Sequence, residues 1–179
     1  MRTLKSILSF LAVVVVGVVL ALGIRTFVAE VYEVPTGSML ETVQLGDRLI
    51  GEKISYRFRD PEPGEIVTFE DPEGSGQTLL KRVIATEGQT VELIDGVVYV
   101  DGVALDEPYV DGKPSDPIPF DGEGGGISYP YVVPEGCIWV MGDNRTNSRD
   151  SRYFGAIPVD SVTSRAVAIF WPFEDACIL

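Results

Sequence analysis

The apolar run at residues 7–24 limits this chain more than any other stretch, because it is broken only by Ser9 and two glycines. As a helix rising ~1.5 Å per residue it would cover about 27 Å, close to the thickness of a bilayer core. Its many valines favour strand over helix in water, but in lipid a lone segment satisfies its own backbone only as a helix. A cleaved export leader is the competing reading, since the run is short and follows Arg2 and Lys5. A retained anchor is favoured: the run exceeds the ~7 to 15 residues of a leader core, and no small-x-small site precedes a polar start. Arg2 and Lys5 outweigh Arg25 on the far flank, so residues 1–6 are expected to stay cytoplasmic, with residues 25–179 across the membrane.

The chain contains no histidine. That removes Ser-His-Asp catalysis and paired-histidine zinc sites, and leaves Lys, Asp, Glu, Tyr or Cys for proton transfer. Its formal charge of -13 argues against a nucleic-acid partner, which needs a basic face. The two cysteines, Cys137 and Cys177, lack metal-ligand spacing and are expected to be buried, unpaired thiols. No metal or cofactor is expected.

With 19 Gly and 12 Pro, the region beyond the anchor should consist of short strands and turns, a mainly β fold. An apolar, partly β-branched lead containing Phe27, Val28, Val31, Tyr32 and Val34 runs into the turn Pro35-Thr36-Gly37-Ser38-Met39. Strands are expected around residues 47–54, 65–70 and 78–86, and a tight hairpin around Asp95-Gly96 joins 91–94 to 97–100. Residues 108–134, rich in Gly, Pro, Asp and Tyr, read as an inserted region. Further strands are expected at 137–141 and 162–171. Residues 141–155 are too polar for core and read as a rigid loop without regular structure, either a functional loop or a surface turn region.

A serine attacks a carbonyl only if something accepts its proton, and without histidine the base would be a lysine whose pKa is lowered by burial. Lys81 lies in the apolar stretch Leu79-Leu80-Lys81-Arg82-Val83-Ile84, where an inward side chain would be desolvated and Arg82 would face the other way. Periodicity alone favours a strand-edge lysine reaching solvent, and Ser38 as an ordinary turn serine.

Together these segments resemble the bacterial type I signal peptidases, membrane-anchored Ser/Lys proteases. The resemblance rests on the anchor, Val34-Pro35-Thr36-Gly37-Ser38-Met39, Gly64-Glu65-Ile66-Val67, Lys81-Arg82-Val83, and Gly142-Asp143-Asn144-Arg145 through Ser148-Arg149-Asp150-Ser151-Arg152. It implies Ser38 as nucleophile and Lys81 as general base. Thr36 and the Ser38 N–H would form the oxyanion hole, and Ser148 would orient the lysine. Asp150 and Arg152 would form a supporting ion pair, with Asp143, Asn144 and Arg145 as scaffold around it. The implied fold is a β-rich catalytic core with a smaller inserted β subdomain, here roughly residues 90–134.

The resemblance also implies cleavage of exported preproteins after small residues, as in Ala-x-Ala, at a bacterial inner membrane by a monomeric enzyme. Tyr32, Val34, Met39 and Leu80 would supply the walls of the two small pockets. Glu41 stands where proline is usual, Ala85-Thr86-Glu87-Gly88-Gln89 replaces the usual Gly-x-Pro-Gly-Asp, and Thr36 replaces the commoner serine. Two other readings are a repressor-type Ser-Lys self-cleaving domain, which lacks an anchor and the Gly-Asp-Asn-Arg loop, and an anchored β domain that only binds peptides.

Overall fold

The computed structural model describes residues 2–119 and 127–179. Helix α1 covers Arg2–Phe27. Within it Ser9–Phe27 is long and apolar enough to cross a membrane, with mean hydropathy 2.5 and none of that stretch buried. Its C-terminal carbonyls lack intrahelical donors, and basic side chains supply them: Arg57 Nη2 donates to Phe27 O at 2.8 Å and Lys53 Nζ to Arg25 O at 3.4 Å. The same cations meet the negative end of the helix dipole.

The rest is mainly β. The strands are β1 (Ala29–Glu33), β2 (Arg48–Glu52), β3 (Ile66–Glu70), β4 (Thr78–Thr86), β5 (Thr90–Ile94), β6 (Val97–Val100), β7 (Val103–Ala104), β8 (Tyr131–Val132) and β9 (Cys137–Met141). After the short helix α2 (Ser151–Phe154) come β10 (Ile157–Pro158), β11 (Val162–Trp171) and β12 (Cys177–Ile178). The larger sheet has the order β1-β2-β11-β3-β4-β9-β10, with β12 on β11; the smaller has the order β7-β6-β5-β8. Every pairing in both is antiparallel.

The Asp95-Gly96 hairpin forms where the sequence places it, with Ile94 opposite Val97. Both turn residues hold positive φ, 52° and 79°, as a two-residue turn matching the strand twist requires. β4 joins the two sheets. Its register against β9 slips between Val83 and Ala85, and this bulge sends Ile84 and Ala85 into the core beneath the smaller sheet, while Val83 stays in the core of the larger one. A third cluster, built on Val34, Met39, Val43, Leu49 and Ile169, lies under the turn that follows β1. Each fully buried side chain of this size contributes ~1.5–3 kcal/mol over exposure, so the turn rests on a packed floor.

Two expectations fail. Residues 141–155 are core in large part: Asp143, Arg145, Asp150, Ser151 and Arg152 are all at most 2% exposed, and α2 occupies part of the stretch. Polar residues are buried when their partners are buried with them, which composition alone does not reveal. The cysteines are free, but Cys177 is exposed and Cys137 only partly covered. Cys177 sits on a two-residue strand that, among the described residues, pairs only with β11. The triple glycine at residues 124–126 lies outside the described residues.

Candidate active site

Ser38 stands on a turn clamped at both ends. Where β1 ends, Val34 N–H donates to Asp47 O and Gly46 N–H to Val34 O, each at 2.9 Å. Asp47 Oδ2 in turn accepts from Gln44 N–H at 2.8 Å. From the other side, Asn144 N–H donates to Ser38 O at 3.1 Å and Asn144 Nδ2 to Gly37 O at 2.8 Å. Neither the Ser38 N–H nor the Thr36 hydroxyl has a hydrogen-bond partner among the described residues. Two donors next to Ser38 Oγ are therefore open to a ligand.

Lys81 enters from β4, paired with Val67 of β3. It is 3% exposed, and its Nζ lies 2.8 Å from Ser38 Oγ and 2.8 Å from Leu80 O. Burial lowers its pKa to about 8, although the carboxylates of Asp150 and Asp143 act in the opposite direction. Both carboxylates are committed to other cations, which limits that opposing pull. Arg152 Nε and Nη2 bind Asp150 at 2.9 and 3.0 Å, and Arg82 Nε and Nη2 bind Asp143 at 2.9 and 2.6 Å. Arg82 thus serves the scaffold from the face of β4 opposite Lys81.

Asp150 also accepts from Gly142 N–H at 3.0 Å and caps α2 through Arg152 N–H. Gly142 lies where a Cβ would overlap both Ser148 Oγ and Ser38 O, so the chain can pass there only without a side chain. Ser148 is buried at this point, and its Oγ has no hydrogen-bond partner among the described residues. The bond from Ser148 to Lys81 implied by the resemblance is therefore missing; Lys81 Nζ, which has three bonding positions, uses Ser38 and Leu80 for two of them.

Two hollows meet at the Ser38–Lys81 pair. One, of about 460 Å³, is a largely apolar groove whose lining includes Tyr32, Val34, Met39 and Leu80, the four residues singled out for pocket walls. Leu49, Thr68 and Leu79 complete its floor and side. The other, of about 600 Å³, is polar and is lined on its far side by Asp71, Glu73, Ser75, Asn147 and Arg149. Thr36, Ser38, Gln77, Leu79 and Lys81 border both.

Sequence reasoning missed the contribution of residues 105–116. Arg145, with a fully buried side chain, is held by Glu107 through two bonds at 2.6 and 2.9 Å and by Ser115 Oγ at 2.5 Å. Tyr109 lies under the Arg82 guanidinium, 4.0 Å from ring centre to Cζ. These partners are distant in sequence and surrounded by turn formers. The one available signal was a need: three arginines, Arg145, Arg149 and Arg152, in a stretch that must be rigid require counter-charges.

A family model described as "Signal peptidase, peptidase S26" matches residues 7–171. A probable signal peptidase I-1 from Synechocystis is 43% identical over 164 residues, spanning 88% of this chain and 79% of that protein. A probable thylakoidal processing peptidase 2 from Arabidopsis thaliana is 37% identical over 162 residues, 87% of this chain and 41% of that one. A crystal structure of a signal peptidase I from Enterococcus faecalis is 32% identical, covering 60% of this chain and 97% of its own, at a TM-score of 0.47. With the family model spanning nearly the whole chain and relatives above 40% identity over most of it, the protein belongs to the signal peptidase family of S26 peptidases.

Proposed function

We propose that this chain is a membrane-anchored serine endopeptidase that removes N-terminal signal peptides from exported preproteins after small residues of the Ala-x-Ala type. The observation that carries the reading is the buried Lys81 amine 2.8 Å from Ser38 Oγ, at the meeting point of the two hollows. In its neutral form Lys81 accepts the Ser38 hydroxyl proton as Oγ attacks the scissile carbonyl carbon. The Thr36 hydroxyl and Ser38 N–H take the developing oxyanion, a contribution typically worth ~2.7–4 kcal/mol per donor. The ammonium then gives its proton to the leaving nitrogen as the C–N bond breaks. Lys81 next deprotonates a water that attacks the acyl-enzyme, and the proton returns to Ser38 Oγ as the signal peptide acid departs.

The pairs Asp150 with Arg152, Asp143 with Arg82 and Arg145 with Glu107 keep this geometry by neutralising their charges away from the dyad, and Ser148 fills the space behind it. Tyr32, Val34, Met39 and Leu80 bound the pockets for the residues before the cut. An extended substrate lies along the groove. Residues 7–24 hold the enzyme in the bilayer as a single-pass anchor, with residues 1–6 cytoplasmic and residues 25–179 as a monomeric peptidase domain outside. Residues 90–134 form an inserted subdomain whose role is to supply Glu107 and Tyr109. The membrane is the bacterial inner membrane. The deciding experiment incubates detergent-solubilised protein with a preprotein carrying Ala-x-Ala. Cleavage by the native chain and none by Ser38→Ala is the expected result, and equal cleavage by both would refute the assignment.

A further inference from the structure

The apolar groove accounts for one side of the nucleophile only. A peptide lying across Ser38 with its residues before the cut in the groove must place its first residues after the cut in the polar hollow, because the two share the dyad as their border. At ~3.3 Å per residue in extended form, the first two or three residues of the mature chain fall within reach.

The charges there are unequal. Arg149 binds Glu73 through Nε and Nη2, at 2.5 Å for the Nη2 contact, so the 71–77 turn and the 142–150 loop are joined across the hollow. Among the described residues Asp71 has no ion pair, only the longer-range pull of Arg149. The Ser75 hydroxyl and the Glu73 N–H hold its carboxyl below the usual range, so it stays ionised at neutral pH. On the rim away from Lys81, which is neutral in the reactive enzyme, one cation faces two carboxylates and the net charge is negative. Both members of the ion pair are solvent-exposed, which makes the field weak and open to salt screening.

We infer that the hollow bordered by Asp71, Glu73 and Arg149 is the subsite for the first residues of the mature chain, and that its charge selects basic over acidic side chains there. The inference rests on the Ser38–Lys81 assignment. Glu73 acts by occupying Arg149. Without Glu73, the freed guanidinium attracts acidic residues instead.

The test uses the full chain in detergent and two preproteins with the same signal peptide, carrying either Lys or Glu as the second mature residue. The quantity read is the Lys-to-Glu ratio of kcat/KM within each enzyme, so that differences in the amount of folded protein cancel. A native ratio of about two- to fivefold is expected, shrinking at high ionic strength. Glu73→Gln lowers the ratio by a similar factor, and Arg149→Gln raises it. Opposite shifts cannot come from a general loss of stability. A ratio near one in the native enzyme, or ratios that do not move in the two variants, would overturn the subsite while leaving the dyad intact. Undiminished cleavage of both substrates by Ser38→Ala would instead overturn the dyad, and the subsite with it.

Discussion

Lys81 Nζ and Ser38 Oγ stand 2.8 Å apart, and burial of the amine lowers its pKa to about 8 against the pull of Asp150 and Asp143. The pair is thus built so that a base of ordinary pKa ~10.4 is partly neutral where the enzyme works. In the free enzyme, about one molecule in ten carries neutral Lys81 at pH 7.

The pH profile follows. Only neutral Lys81 can take the Ser38 proton, so kcat/KM should fall about tenfold per pH unit below pH 8 and level off above about 9. Steady-state cleavage of a preprotein across pH 5–10 checks this. A flat profile down to pH 5 would exclude a lysine base.

The same burial costs stability. Between about 8 and 10.5 the unfolded chain binds the Lys81 proton and the folded chain does not. Stability therefore rises with pH through that window, and at lower pH the fold carries the full penalty of roughly 3 kcal/mol. Lys81→Met keeps the stem and removes the charge. After loss of the bond to Ser38, it should stabilise the protein by about 2 kcal/mol at pH 7 while abolishing cleavage. Denaturant unfolding followed by tryptophan fluorescence measures the gain, which should shrink as pH rises from about 8 and be lost by about 10.5.

Much of this was legible in the sequence, for local reasons. The Asp95-Gly96 hairpin, the strand carrying Lys81 and the apolar α1 are fixed by turn chemistry and periodicity, which act over a few residues. The residues lining the apolar groove could be named because Tyr32 and Val34 share a strand face and lead into the serine turn. The burial of residues 141–155 was not legible, because Arg145 is buried only by virtue of Glu107, and Arg82 is stacked only by virtue of Tyr109. Such pairings connect segments whose contact is a property of the finished fold.

Gly142 is expected to tolerate no side chain. A Cβ there would overlap Ser148 Oγ and Ser38 O, and both belong to buried or clamped segments that cannot retreat. Gly142→Ala should displace the serine turn from Lys81 and lower kcat at least about 100-fold, as misplacement by ~1 Å does. Its effect on KM should be small if the groove is untouched. Preserved kcat in a folded Gly142→Ala enzyme would show that the turn has room to shift.

Thr36→Val removes the side-chain hydroxyl proposed to bind the oxyanion while keeping size and branching. Thr36 is exposed in the groove and its hydroxyl bonds to nothing in the described protein, so unfolding free energy should change by less than ~0.5 kcal/mol. kcat should fall by about 10²–10³. Thr36→Ser, which restores the hydroxyl, should recover most of the rate, and failure of that rescue would remove Thr36 from the oxyanion site.

Glu107, which follows β7, links the smaller sheet to Ser38 through a short chain of contacts. It neutralises the buried Arg145, whose neighbour Asn144 holds the Ser38 and Gly37 carbonyls. Glu107→Gln leaves that guanidinium without a counter-charge in a dry setting, which typically costs ~3–5 kcal/mol. The double variant Glu107→Gln/Arg145→Met removes both charges and should recover a large part of the stability lost. If the link also positions the turn, the double variant should regain stability without regaining kcat, because an unanchored Asn144 no longer fixes Ser38. Parallel thermal unfolding and single-turnover cleavage separate the two effects, and full recovery of both would reduce Glu107 to a structural counter-ion.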